Sequence, residues 1–296
     1  MKTNGAYLSR KWLLRGLLIH CLCICTLLTA DVFAKDEEPL TMGVFPRRNA
    51  VVTMTMFKPL AEYLSQQLGR QVRVVTAKDF PSFWESVEKN KYDIVHYNQL
   101  HYVISNQKFG YNVVAKNSEF GRDTIAGALV VRKDSGINHV ADLKGKKIVF
   151  GGGKKALVSY VVTTLMLRRS GLEKGDYIEK FSKNPPNATL ATYKNQADAA
   201  GVGDVALSIP LIKKKADLKQ LKYLARSEQL PHLPWAVKGS LSLDLKLEIQ
   251  NLLVNLKTSE SGKKILQNAR ITNLSMAEDI DYDVIRDLIR EFNEKN

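Results

Sequence analysis

The chain has 296 residues, a formal net charge of +14 and three cysteines. This length is enough to bury the core of one large or two medium domains without cross-links. Because Cys21, Cys23 and Cys25 all lie in an apolar N-terminal run, the rest of the chain excludes a disulfide framework or a thiolate metal site. No metal or other cofactor is predicted.

The N-terminal segment has the pattern of an export signal. Arg10, Lys11 and Arg15 precede an apolar run over residues 17–28, and Val32-Phe33-Ala34 resembles a small-residue cleavage site. The run is short for a membrane span, which needs about 20 apolar residues. We therefore predict a signal peptide over residues 1–34 and a periplasmic protein, with an uncleaved membrane anchor as the alternative. Export argues against nucleic acid as the partner of the basic chain, which leaves a small anionic solute, an anionic membrane or simply a solvated surface.

Strand-like and helix-like runs alternate after the signal. The first strands are predicted in "LTMGVF", "QVRVVTA", "YDIVHY", "YNVVAK" and "IAGALVVRK", with helices in "TMTMFKPLAEYLSQQLG", "DFPSFWESVEKNK" and "NQLHYVISNQKFG". After "RKDSG" the alternation restarts with a strand in "KKIVFGG", a long apolar helix in "LVSYVVTTLMLRRSG", and further strands in "YIEKFSK", "AAGVGDVALS" and "LKYLARS". The end of the chain, from Leu241, is mostly helical.

This order predicts an α/β protein with two lobes, each a mostly parallel sheet flanked by helices. Lobe 1 is predicted to contain residues 35–131 and 225–296, and lobe 2 residues 132–224. Two crossings between the lobes leave a cleft, which is a common place for a small ligand.

The stretch "GGGKKALVSY" joins a strand to the long helix. Glycines allow close approach of an anion to the backbone, and a helix start carries a partial positive charge. We therefore predict that Lys154 and Lys155 neutralise an anion. A flexible turn with two solvated lysines is the alternative. The stretch lacks the G-x-x-x-x-G-K-[ST] pattern, so a nucleotide is not expected.

A second candidate region is "HYNQLHYV". Ligands collect at the ends of strands in α/β clefts, which favours Tyr97 and Asn98 as hydrogen-bonding groups. His96 and His101 are interpreted as structural, because no third metal ligand lies near them in the sequence.

Several segments together resemble the periplasmic phosphonate-, phosphite- and phosphate-binding proteins of ABC importers. They are "DFPSFWESVEKNKYDIVHYNQLHYV", "GALVVRKDSGINHVADLKGKKIVFGG", "LMLRRSGL" and "YKNQADAAGVGD". The resemblance implies a type II-like Venus-flytrap fold without catalytic activity, working with an inner-membrane ABC permease. A monomer is expected.

The resemblance also implies ligand contacts. The family's aromatic contact falls near Phe83, and the contact before the "VVR" strand falls near Thr124. The positions of its histidine and of an acidic contact fall near Asn187 and His232. Its Ser-Thr-Ser run falls on Ala156-Leu157-Val158, which has no hydroxyl, so Ser159 is the nearest replacement. The hydroxyl run is therefore lost, and the ligand can differ from the family's usual one.

Two other functions compete with import. The same fold serves as a sensor that presents ligand to a membrane receptor kinase, and the sequence does not separate the two roles. An exported enzyme is disfavoured, since the chain has no G-x-S-x-G elbow, no H-E-x-x-H and no cysteine after the signal.

Overall fold

The described residues of the computed structural model are 38–46 and 48–294. The predicted signal peptide lies outside them. Within these residues, no helix is long and apolar enough to cross a membrane.

Thirteen strands and nine α-helices occur within the described residues. The strands are β1 (Leu40–Val44), β2 (Val72–Val75), β3 (Ile94–His96), β4 (Asn112–Ser118), β5 (Thr124–Ile125), β6 (Gly127–Arg132), β7 (Lys147–Gly151), β8 (Ile178–Ser182), β9 (Ala199–Gly203), β10 (Leu221–Arg226), β11 (Leu230–Pro231), β12 (Pro234–Val237) and β13 (Asn273–Met276). The helices are α1 (Ala50–Leu68), α2 (Phe80–Glu88), α3 (Gln99–Phe109), α4 (Thr163–Arg169), α5 (Pro185–Tyr193), α6 (Pro210–Lys215), α7 (Leu243–Val254), α8 (Glu260–Ala269) and α9 (Asp283–Glu294). A π-helical segment, Leu157–Val162, runs directly into α4.

Two mixed sheets form the lobes. The sheet of lobe 1 has the order β13-β4-β12-β3-β1-β2, and the sheet of lobe 2 has the order β10-β6-β9-β7-β8. β1 pairs in parallel with β2 and β3, and β7 pairs in parallel with β8 and β9. Most strands of each sheet run in one direction, as predicted. The exceptions are β12 and β13, which run opposite to the other strands of lobe 1, and β6, which runs opposite to the other strands of lobe 2.

The early helices lie where the sequence predicts them, although α1 begins at Ala50, three residues before the predicted run. The Asn49 side chain accepts a hydrogen bond from the N–H of Val52, which starts α1. Gly69 ends the same helix with φ +59°, a left-handed conformation that glycine adopts easily. Asp79 caps α2 in the same way as Asn49 caps α1.

The chain crosses between the lobes at β5 and β11, which pair with each other as a separate two-stranded sheet. This position corrects the predicted lobe boundaries. β6 belongs to the lobe 2 sheet, so the first crossing precedes residue 127 instead of following residue 131. β10 pairs with β6 through Arg226, so the second crossing follows that residue instead of residue 224.

The C-terminal helix α9 contacts both lobes. On the lobe 2 side, Arg169 forms an ion pair of 2.7 Å with Glu291, and Arg168 donates to the carbonyl oxygen of Phe292 at 3.0 Å. On the lobe 1 side, Arg286 donates to Asn106 at 3.0 Å. The largest hydrophobic core likewise joins residues of both lobes.

Candidate functional site

The glycine turn follows β7 at the carboxyl end of the lobe 2 sheet. Gly152 has φ +120°, which favours glycine. A Cβ at Gly151 would overlap the backbone of Pro185, so the start of α5 packs against the turn. Lys154 and Lys155 follow with exposed side chains. The turn therefore combines close backbone approach with two cations.

The π-helical segment after the turn starts without a side-chain cap. Ala156 is its N-cap residue and makes no capping hydrogen bond through its side chain. The first N–H groups of a helix have no partner within the helix, and they carry part of the positive end of its dipole. Short π-helical segments of this kind are frequent at functional sites. No side chain therefore caps this helix start.

Two other predicted residues lie at the same end of lobe 2. The Ser159 hydroxyl is buried and donates to the carbonyl oxygen of Gly151 at 2.6 Å, which ties the helix to the turn. Asn187 is exposed in the first turn of α5, and its N–H donates to the side chain of Asn184 at 3.0 Å. That Ser159 and Asn187 contact a ligand stays a prediction.

The opposite wall is the first turn of α3 in lobe 1. Asn98 is the N-cap, and its side-chain oxygen accepts the N–H of His101 at 2.8 Å. The His101 ring lies between Phe80 and Trp84, with ring centroids 5.8 Å and 5.0 Å away and interplanar angles of 26° and 28°. Only 2% of His101 is exposed, whereas Phe80 is 38% exposed.

The imidazole of His101 in lobe 1 interacts electrostatically with Lys155 in lobe 2. Burial, and to a smaller extent the positive charge of Lys155, lower the pKa of this imidazole to about 4. The ring is therefore neutral at neutral pH. Lys155 belongs to lobe 2 and His101 to lobe 1, so the glycine turn and the start of α3 lie within electrostatic reach of each other.

Phe83 and Tyr97 lie in the core of lobe 1. Phe83 stacks on Tyr92 with ring centroids 5.3 Å apart, and Tyr97 meets Tyr111 edge-on at 5.8 Å. Neither Phe83 nor Tyr97 is exposed. Both rings are packing residues as placed here, and any ligand contact by them stays a prediction. On the other face of α2, Phe80 is exposed and Trp84 is half-buried, and both stack on His101.

His96 points to the other face of the lobe 1 sheet. Its ring stacks on Trp235 at 4.4 Å and 4°, and its Nδ1 lies 3.1 Å from the carbonyl oxygen of Pro234. It borders a small cavity of about 40 Å³ beside Arg48 and Glu119. In the described part of the chain, no group of three or more His, Cys, Asp or Glu side chains is placed to hold a metal ion.

Thr124 and His232 lie at the crossings. The Thr124 hydroxyl donates to Gln229 at 2.9 Å, which links the two crossing segments. His232 is fully buried, and its N–H donates to the carbonyl oxygen of Asp123 at 3.0 Å. As ligand contacts both stay predictions.

An ion pair that the sequence did not predict also lies at the hinge. Arg122 contacts the buried carboxylate of Asp204 at 2.8 Å, and Asp204 accepts the N–H of Ala126 at 3.1 Å. Residues on both sides of the hinge are therefore held together by charge.

The two lobes, the double crossing and the cleft between them define the fold of a periplasmic binding protein. A phosphonate transporter binding protein from Pseudomonas aeruginosa has a TM-score of 0.73 to this chain at 19% identity, covering 87% of each chain. A binding protein from Prochlorococcus marinus in complex with methylphosphonate has a TM-score of 0.73 at 18% identity, covering 86% of this chain and 98% of that one. The predicted two-lobed α/β fold is confirmed.

The family follows from the sequence comparison. Residues 42–282 match the family described as the ABC transporter, phosphonate, periplasmic substrate-binding protein. The phosphonates-binding periplasmic protein of Escherichia coli (strain K12) is 23% identical over 270 residues, which cover 90% of this chain and 80% of that protein. The chain belongs to this family of periplasmic substrate-binding proteins, which confirms the resemblance seen in the sequence.

Proposed function

We propose that the protein binds a small phosphonate in the cleft between its lobes and delivers it to an ABC permease. The observation that carries the proposal is the uncapped helix start beside Gly151–Gly153, with Lys154 and Lys155 exposed next to it. Backbone N–H groups and two ammonium groups suit an oxyanion with two negative charges. The family and its E. coli relative support phosphonate as the class of ligand.

Each predicted side chain has a role in this proposal. Lys154 and Lys155 neutralise the anion, and Asn98, Thr124, Ser159 and Asn187 supply or orient hydrogen bonds around it. Phe83 and Tyr97 support the lobe 1 wall, and His232 contributes at the hinge.

Binding acts through closure of the lobes. A ligand that touches the glycine turn of lobe 2 and the start of α3 in lobe 1 makes some contacts only when the lobes are closed. Its higher affinity for the closed form shifts the population toward that form. The permease then recognises the closed protein. In this account the protein is a monomer, uses no cofactor and has no catalytic activity.

A thermal-shift comparison of methylphosphonate and methanesulfonate tests the proposal. The two ligands have nearly the same shape, but only the phosphonate carries a second ionisable oxygen. Ligand at about 100 times its Kd stabilises the folded state by about 2.7 kcal/mol, so the purified protein should melt several degrees higher with methylphosphonate. Methanesulfonate should give a smaller shift. The proposal would be contradicted if the melting temperature stayed the same with both methylphosphonate and inorganic phosphate.

A further inference from the structure

One buried polar atom at the cleft wall has no partner within the described chain. Nδ1 of His101 makes no hydrogen bond to any described residue, although only 2% of this residue is exposed. Buried polar groups in folded proteins are almost always paired, because an unpaired one costs free energy. A ligand that formed a hydrogen bond with this nitrogen would satisfy it.

The neighbours of the ring fix its orientation but do not satisfy this nitrogen. Phe80 and Trp84 both stack on the imidazole with their own rings. The indole N–H of Trp84 is already used, since it donates to Glu88 at 2.7 Å. The side-chain oxygen of Asn98 accepts the backbone N–H of His101. The ring is therefore held in place by stacking, and Nδ1 has no hydrogen-bond partner among the described residues.

The position of the ring points to the kind of partner. His101 lies in the first turn of α3, an 11-residue helix whose start carries a partial positive charge. The charge of Lys155, from the other lobe, acts on the same ring. A neutral imidazole between a helix start and a lysine is well suited to donate a hydrogen bond to an anion.

We propose that His101 is a ligand-contacting residue, which donates a hydrogen bond from Nδ1 to an oxygen of the oxyanion that Lys155 neutralises. This inference rests on the proposed function and adds a specificity-determining contact from lobe 1. Because the ring is neutral, it contributes an oriented hydrogen bond to the anion and no positive charge. Phe80, which is 38% exposed beside it, presents apolar surface that favours a carbon substituent on the anion over a fourth oxygen. The preferred ligand is thus an organic phosphonate rather than inorganic phosphate.

Two substitutions separate the hydrogen bond from the stacking. His101→Phe keeps an aromatic ring between Phe80 and Trp84 and removes both ring nitrogens. His101→Asn loses the ring, but its side-chain amide places an N–H donor near the position of Nδ1. Tyr102→Phe serves as a matched control, because it removes a hydrogen bond to Asp279 from the next residue of the same helix.

The experiment is calorimetric titration of the purified protein with methylphosphonate. Affinity should fall roughly tenfold or more in His101→Phe, stay within about threefold of the wild type in His101→Asn, and change little in Tyr102→Phe. Wild-type affinity in His101→Phe would overturn the proposal and make the ring a packing residue. An equal loss in both His101 variants would also overturn it, because the shape of the ring would then be what matters.

The unliganded protein supplies a second readout that separates this inference from the proposed function. If the wild type binds no phosphonate, the proposed function fails. The role of Nδ1 is then decided by urea unfolding without ligand. His101→Phe should unfold at the same urea concentration as the wild type or higher, because it removes an unpaired polar group. A drop as large as that in Tyr102→Phe would show that the nitrogen is structural and would overturn the inference.

Discussion

Mild acid should destabilise this protein through His101. Burial first, and the charge of Lys155 second, lower the pKa of the imidazole from 6.5 in the unfolded chain to about 4 in the folded protein. The folded state therefore binds fewer protons than the unfolded state between these values. The contribution to stability is fully present above pH 6.5 and is lost as the pH falls toward 4. From pH 7.5 to pH 5 the expected loss is about 2 kcal/mol, at about 1.36 kcal/mol per pKa unit.

Urea unfolding at the two pH values measures this loss. Other groups also titrate in this range, so the informative quantity is the difference between the wild type and His101→Phe. The phenylalanine variant has no imidazole to protonate, and it should lose about 2 kcal/mol less than the wild type on acidification. Equal losses in the two proteins would refute the reasoning, because they would mean that the His101 imidazole has the same pKa in the folded and unfolded chains.

Three further predictions concern lobe 2. Replacing Lys154 and Lys155 together with alanine should weaken methylphosphonate binding about tenfold or more in calorimetry and flatten its salt dependence; unchanged affinity would leave both lysines in solvent. Ser159→Ala should lower the free energy of unfolding by about 1–2 kcal/mol in urea, since the Gly151 carbonyl loses its donor, and an unchanged value would contradict this role. Gly201→Ala should lower stability by about 1–3 kcal/mol, because its methyl group would overlap a phenylalanine ring and a backbone carbonyl; a thermal midpoint equal to the wild type would contradict it.

The alternation of elements was predictable because it depends on local signals. The cap Asp79 and the terminal Gly69 act within a few residues, so the sequence alone indicates these helix ends. The start of α1, capped by Asn49, lies three residues before the predicted run. The sequence did not predict β12, because the local signals there argue against a strand. It begins at Pro234 and follows Pro231, and prolines in a short run argue against a central strand. Its place in the middle of the lobe 1 sheet depends on distant pairing with β3 and β4.

The site was predictable in part. The glycine turn and its two lysines follow a strand and precede a helix, which is a local pattern. The predicted aromatic contact, Phe83, lies on the core face of α2, and its contact with a ligand stays a prediction. Phe83 and Val87 are four residues apart on the core face of α2, whereas Phe80 and Trp84 have the same spacing on the face that meets His101. That second spacing is visible in the sequence and was the available signal.

His101 was interpreted as structural because the sequence does not show what lies around it. Its neighbours come from another helix, and the lysine that acts on its charge comes from the other lobe. Such a group is recognised only once the packing is known. The uncapped π-helical start is a similar case, since the sequence predicts only a helix there, and the hydrogen bond from Ser159 back to Gly151 is seen only in the structure.

Calorimetric titration of the wild-type protein with methylphosphonate, next to the same titration with methanesulfonate, tests the central claim most directly. We expect saturable binding of the phosphonate at one site per chain and at least roughly tenfold weaker binding of the sulfonate, because the two lysines match two negative charges better than one. Equal affinity for the two ligands, or no heat with either, would contradict a cleft built for a phosphonate.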